Sequence, residues 1–168
     1  MQVDRRTRLT FLAIVLVACV GCDQLSKVIA TGTLGREREQ VHSYLGDTFR
    51  LQYALNPGAF LGLGKNLSPT QRFAILTLTN GLAMLVLAFF LLKKWHLPRV
   101  NYIAGALILG GGIGNLIDRV RLEGLVIDFL NVGIGRVRTG IFNIADMAIM
   151  AGCGLFLWIW WSEPVSVD

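Results

Sequence analysis

Four apolar runs, each close to the length of a bilayer crossing, leave this chain few ways to fold. They cover residues 9–30, 73–92, 100–117 and 141–161. A helix needs ~20 apolar residues to cross the hydrocarbon of a membrane. Lipid offers backbone groups no partner, so each run must be helical. The composition agrees. Of 168 residues, 54% are hydrophobic and 16% charged, whereas a water-soluble domain carries about a quarter charged residues. That surplus excludes disorder and a soluble enzyme of this size. Three cysteines exclude a disulfide framework. The expected fold is one integral membrane α-helical domain over residues 1–168. It is a four-transmembrane-helix bundle with a small extracytoplasmic β-sheet and loop region, and outer loops over residues 31–72 and 118–140.

Orientation follows from the basic residues. Arg5, Arg6 and Arg8 precede the first run, and Lys93, Lys94 and Arg99 crowd the link between the second and third. Both regions are expected in the cytoplasm, which puts both termini inside and the two long loops outside. Trp158, Trp160 and Trp161 suit an inner interfacial belt. Leu16-Val17-Ala18-Cys19 also reads as a lipidation and cleavage box. The run continues into Asp23 and Lys27, however, which favours a retained span. The net charge of +5 would suggest nucleic acid in a soluble protein. Here the charge flanks apolar runs without aromatic interleaving, so no nucleic-acid partner is expected. In the loops, Phe49-Arg50-Leu51-Gln52-Tyr53 alternates with the period of a strand, and Val126-Ile127-Asp128-Phe129 is rich in strand formers. Gly133, Gly135 and Gly140 suggest a hairpin or bent strand before the last span.

Alternating span direction brings the polar residues to one depth. Asp23 and Lys27 lie near the outer end of the first span, four apart and so on one face. Asn115, Asp118 and Arg119 lie at the outer end of the third. Asn143 and Asp146 open the fourth, with Asp146 expected ~5 Å, one turn, below its start. Asn56 and Asp128 belong to the outer loops. An ionisable group in a span is costly and marks function by default. If the segment after Asp128 folds back, its carboxyl faces that of Asp146. Two close carboxylates share a proton. One then takes a proton from water while the other protonates a carbonyl oxygen, which is peptide hydrolysis without metal or covalent intermediate. The competing reading pairs Asp128 with Arg119, Arg136 or Arg138.

Other chemistries fit poorly. Ser26 and Lys27 diverge as helix neighbours, and His42 and His96 fall on opposite sides of the membrane. Cys19 and Cys22 lack a second pair, so no metal and no cofactor is expected. Gly110-Gly111-Gly112-Ile113-Gly114 lies in a span without phosphate-loop spacing, and suits close helix approach or room for a substrate helix. Asn80 suits helix packing.

Five motifs occur in order. They are Asp23-Gln24-Leu25-Ser26-Lys27, Asn56-Pro57-Gly58-Ala59-Phe60, Gly110 to Arg119, Val126-Ile127-Asp128-Phe129 and Phe142-Asn143-Ile144-Ala145-Asp146. Together they resemble the lipoprotein signal peptidase (signal peptidase II) family over nearly the whole chain. The second is one alanine shorter than the family's N-x-G-A-A-F, which moves Phe60 by one residue. The resemblance implies that Asp128 and Asp146 form an aspartyl dyad. It implies that Asn115, Arg119 and Asn143 orient the dyad and substrate, and that Asp23, Lys27, Asn56 and Gly58 support the site. It implies a multi-pass enzyme of the bacterial cytoplasmic (inner) membrane, with its active site at the outer leaflet. The substrate would be a prolipoprotein carrying diacylglycerol on cysteine, cut just before that cysteine. The partners would be that precursor, membrane phospholipid and globomycin-like cyclic peptide antibiotics, and the enzyme would act as a monomer. Residues 56–64 are Gly-rich and suit a lid. The rival reading is a proton-coupled transporter or channel subunit using the same carboxylates, but such a relay needs acids spread across the bilayer. A third is a structural membrane protein whose polar cluster only joins helices.

Overall fold

The computed structural model describes residues 4–35, 40–58 and 68–162. Phe60 and the rest of the lid expectation beyond Gly58 lie outside the described residues. Four helices are long and apolar enough to cross a membrane: α1 (Arg5–Thr33), α2 (Pro69–Lys93), α3 (Arg99–Arg121) and α4 (Ile144–Ser162). Their starts are chemically marked. The Asp4 side chain accepts the Thr7 N–H at 2.7 Å and caps α1. At α2, Ser68 and Gln71 form a capping box ahead of Pro69. A π-helical turn follows over Phe73–Thr77.

The middle of the bundle is α3. Of its most apolar stretch 56% is buried, against 11% for each other span. Tyr102, Ala106 and Leu109 pack there on Leu12 of α1 and Leu91 of α2. The remaining faces are apolar and open, as at Val17, Leu85 and Trp161, which is what lipid requires of a surface. Glycines make the close packing possible. A Cβ on Gly110 would stand 2.7 Å from Cys19 Cβ, and one on Gly111 would strike the Ala145 carbonyl oxygen. The glycine stripe is therefore filled by α1, α2 and α4, which favours helix packing over space for a substrate helix. Asn80 donates to the Gly112 carbonyl at 3.4 Å, the packing role expected of it.

Between the helices lie β1 (His42–Tyr44), β2 (Phe49–Asn56), β3 (Val126–Ile134) and β4 (Val137–Arg138). They form one antiparallel sheet in that order. The sheet rests on the C-terminal end of α1, where Phe129 packs with Ala30 and Leu34. Asp47 ties its two hairpins together: it pairs with Arg50 at 2.5 Å, and its carbonyl accepts from Arg138 at 2.6 Å. In the β2/β3 register Asn56 faces Val126 and Ala54 faces Asp128.

The helices run past most of the expected limits, α1 and α2 starting four residues early at Arg5 and Pro69, and two boundaries bear on the site. The third helix runs to Arg121, taking Asp118 and Arg119 with it. It stops where Glu123 and Gly124 take positive φ, and the Gly124 N–H returns to the Arg119 carbonyl at 2.8 Å. The fourth helix starts at Ile144 rather than 141. Phe142 is held outside it by reciprocal 2.8 Å backbone bonds with Leu130 of β3. Asp146 consequently lies in the first turn, not a turn below it.

Candidate active site

Lys27 anchors the polar end of the bundle. It is 2% exposed, and its ammonium has three hydrogens to place. They meet Asp23 Oδ2 at 2.8 Å, Asp118 Oδ2 at 3.0 Å and Asn115 Oδ1 at 3.1 Å. One cation thus pairs with an acid from its own helix and with one from α3. An unpaired charge buried here would cost several kcal/mol. Both acids accept further bonds. Asp23 Oδ1 takes the Ala145 N–H at 2.9 Å, which fixes the first turn of α4. Asp118 Oδ2 takes the Ile127 N–H at 2.9 Å, which fixes the entry of β3. Gln24 bridges Asp23, Asp118 and the Gly114 carbonyl, each at 3.1 Å.

On this base stand the two acids expected to react. Asn143 precedes α4 and caps it. Its Oδ1 accepts the Asp146 N–H at 2.9 Å, while its own N–H donates to Asp146 Oδ2 at 3.3 Å. The Asn143 amide Nδ2 donates to Asp128 Oδ1 at 2.6 Å, with Asn115 Oδ1 at 3.0 Å and the Ile127 carbonyl at 3.2 Å sharing its second hydrogen. Asn115 Nδ2 in turn donates to Asp146 Oδ1 at 2.8 Å. A single residue, itself fully buried, therefore holds both carboxyls. Asn56 completes the Asp128 side, donating to Oδ2 at 2.8 Å, and is itself oriented by the Gly58 N–H at 2.9 Å. Burial pushes the Asp128 carboxyl up to about 7. The nearby Asp146 charge adds to the rise, and the amides of Asn56 and Asn143 oppose it.

Arg119 lies buried beside these acids. Its Nη1 donates to the Asn115 carbonyl at 3.4 Å, and its Nε is buried with no acceptor among the described residues. Among the described residues no ion pair joins Asp128 to Arg119, Arg136 or Arg138. Arg138 serves Asn131 and Asp47 instead. All nine expected site residues (Asp23, Lys27, Asn56, Gly58, Asn115, Arg119, Asp128, Asn143 and Asp146) are in one connected network. Sequence reasoning placed Asp118 in the polar cluster without giving it a role at the site, and gave Gln24 none. Asp118 follows Asn115 by three residues on the same helix face, and Gln24 adjoins Asp23; that spacing was the available signal.

A water held between two such carboxyls, one protonated and one ionised, is equipped to attack a carbonyl. Comparisons with known proteins point to the same chemistry. Residues 15–162 match the family model described as Signal peptidase (SPase) II. A lipoprotein signal peptidase of Moorella thermoacetica is 40% identical over 149 residues, covering 88% of this chain and 90% of that one. One of Leifsonia xyli is 36% identical over 89% of this chain and 66% of its own length. A solved bacterial membrane enzyme shares the fold with a TM-score of 0.75 at 27% identity, covering 95% of this chain and 92% of that one.

Proposed function

The chain belongs to the signal peptidase II family, and we propose that Asp128 and Asp146 are its catalytic pair, acting on diacylglyceryl-modified prolipoproteins. The observation that carries this reading is the bridging of both carboxyls by Asn143. Asp146 takes a proton from the attacking water as oxygen bonds to the carbonyl carbon. Asp128, holding the pair's proton, gives it to the carbonyl oxygen. The tetrahedral diol then collapses. The C–N bond breaks, the leaving amine takes the proton from Asp146, and a diol hydroxyl returns one to Asp128. Arg119 offsets the charge of the pair and orients the substrate backbone with Asn115 and Asn143. Lys27, Asp23, Asn56 and Gly58 hold the pair in place.

Depth supports the choice of substrate. Two acyl chains anchor a peptide stably at the headgroup boundary, which fixes its scissile bond at the level of the helix ends that carry these acids. Anchoring also supplies orientation without a tight soluble-substrate pocket. The reading places both termini in the cytoplasm, the acids at the outer leaflet of the bacterial inner membrane, and a monomer as the acting unit. Globomycin-like peptides would compete at the pair. The test is cleavage of a diacylglyceryl-modified precursor by purified protein with a chelator present. Asp128→Asn and Asp146→Asn should each lower kcat about 10³-fold while inserting normally. Processing at the wild-type rate by either variant overturns the assignment.

A further inference from the structure

The sheet has an apolar end that the peptidase chemistry does not use. Gly135 and Arg136 turn β3 into β4, with Ile134 opposite Val137 and Gly135 at φ +56°, as so tight a hairpin requires. Side chains alternate between faces along a strand, and paired residues share a face. Val132, Ile134 and Val137 therefore lie on one face of this hairpin, with Asn131 and Arg138 on the other. The polar face is occupied: Arg138 donates to Asn131 Oδ1 and to the Asp47 carbonyl, both at 2.6 Å. The apolar face is open. Exposure climbs outward along β3, from half-buried Leu130 to 37% at Val132 and 80% at Ile134, and reaches 83% at Val137. Such values match the lipid-facing surface of the spans, where Val17 is 74% exposed.

The hairpin also hangs on the membrane side of the sheet. One edge of β3 is taken by β2, which sets Leu51 opposite Leu130. Along the other edge the chain returns from β4. The Thr139 N–H meets the Val132 carbonyl at 2.8 Å, Phe142 pairs with Leu130, and α4 begins at Ile144. The edge that bears β4 is thus the edge from which a span descends. From Leu130 to Ile134 the strand reaches ~13 Å farther, more than the ~5 Å radius of a helix.

We propose that the β3–β4 hairpin is a membrane foot, which clears α4 and seats Ile134 and Val137 at the boundary of headgroups and acyl chains beside the bundle. In the orientation proposed above this is the outer leaflet. A one-sided apolar element at that depth is covered by lipid without any partner protein. Three aliphatic side chains fall far short of the ~800 Å² per partner that a standard protein interface buries. The long stem of Arg136 lets its charge stay among the headgroups while its neighbours are immersed. Because β3 is the strand of Asp128, the foot also fixes the height of that strand against the bilayer. The proposal holds whichever acids react.

The test is spin labelling of the full chain in vesicles of phosphatidylethanolamine and phosphatidylglycerol, with Cys19, Cys22 and Cys153 replaced by alanine. Nitroxides at Ile134→Cys and at Val137→Cys should each collide severalfold more with oxygen, which concentrates in hydrocarbon, than with a water-soluble nickel chelate. A nitroxide at Ser43→Cys, whose strand partner Arg50 lies in register with Asn131 of the polar face, should show the reverse order. The two hairpin positions are read in separate proteins, so the test survives if one of them fails to fold. It reads no cleavage and therefore stands apart from the assignment of the acids. Nickel access at Ile134 and Val137 equal to that at Ser43 overturns the proposal. Dipolar broadening between copies would assign the face to a second chain, and loss of oxygen access on adding lipidated precursor would assign it to substrate. Either result overturns the membrane reading.

Discussion

Asp128 is buried deeply enough that its carboxyl rises from 3.8 to about 7, and two consequences follow for pH. If it donates the proton, kcat/KM must fall as pH climbs through about 7, close to tenfold per unit beyond. A profile measured in detergent that stays level to pH 9 would remove Asp128 as the acid. Stability carries the same signature. Between pH 3.8 and about 7 the unfolded chain has lost the proton that the folded chain keeps. The unfolded state then binds fewer protons, so stability declines with rising pH, by up to ~1.4 kcal/mol per unit. Thermal unfolding of Asp128→Asn across that range should show a shallower slope, whatever its absolute midpoint. Of the two acids proposed as catalytic, Asp146 was legible in the sequence because it lies in an apolar span, where burial makes acids expensive, whereas Asp128 lay in an outer loop, where pairing with an arginine competed. Asp118 and Gln24 were less so. Their work is to satisfy Lys27, Asp23 and the Ile127 N–H, and a supporting contact of that kind is fixed by three-dimensional register rather than by residue type.

At the scale of elements, the start of α4 is where folding and chemistry meet. Asn143 caps the helix and also grips Asp128. Asn143→Ala should therefore cost about 1 kcal/mol of stability as a lost cap yet lower kcat by about 10²-fold through misplacement. A thermal melt beside a single-turnover assay separates the two. Helix approach can be probed likewise. A Cβ on Gly114 would stand 2.6 Å from Asp23 Oδ2, while one on Gly21 meets nothing within 4 Å. Gly114→Ala should destabilise by ~1–3 kcal/mol, and Gly21→Ala should be neutral or mildly stabilising. Equal midpoints for the pair would contradict this packing. Hydropathy located all four helices, since lipid permits little else. It misplaced the start of α4 because Phe142 is apolar and yet belongs to a strand contact with Leu130. Apolar character does not distinguish a residue facing lipid from one packed under a sheet.

Over the whole molecule, the gathering of polar groups at one end was readable once the spans were counted, because direction alternates with each crossing. The sheet order and the π-helical turn at Phe73–Thr77 were not. Pairing depends on contacts between residues some eighty positions apart, such as Arg50 with Asn131. Sidedness is open to direct measurement. An impermeant thiol reagent should reach a cysteine placed at Arg136 from outside the cell and one at Lys94 only after permeabilisation; the reverse pattern would invert the bundle. The three-way contact of Lys27 has a bearing on how the protein is made. Synthesised well ahead of α3, α1 meets the insertion machinery long before Asp118 exists. Asp23, one turn away on the same helix, lets the newborn segment partition as a neutral unit. Asp23→Asn should therefore impair integration of the nascent first segment, whereas Asp118→Asn should leave integration intact and disturb only later assembly, a difference that a cell-free translation assay with microsomal or inverted vesicles would reveal.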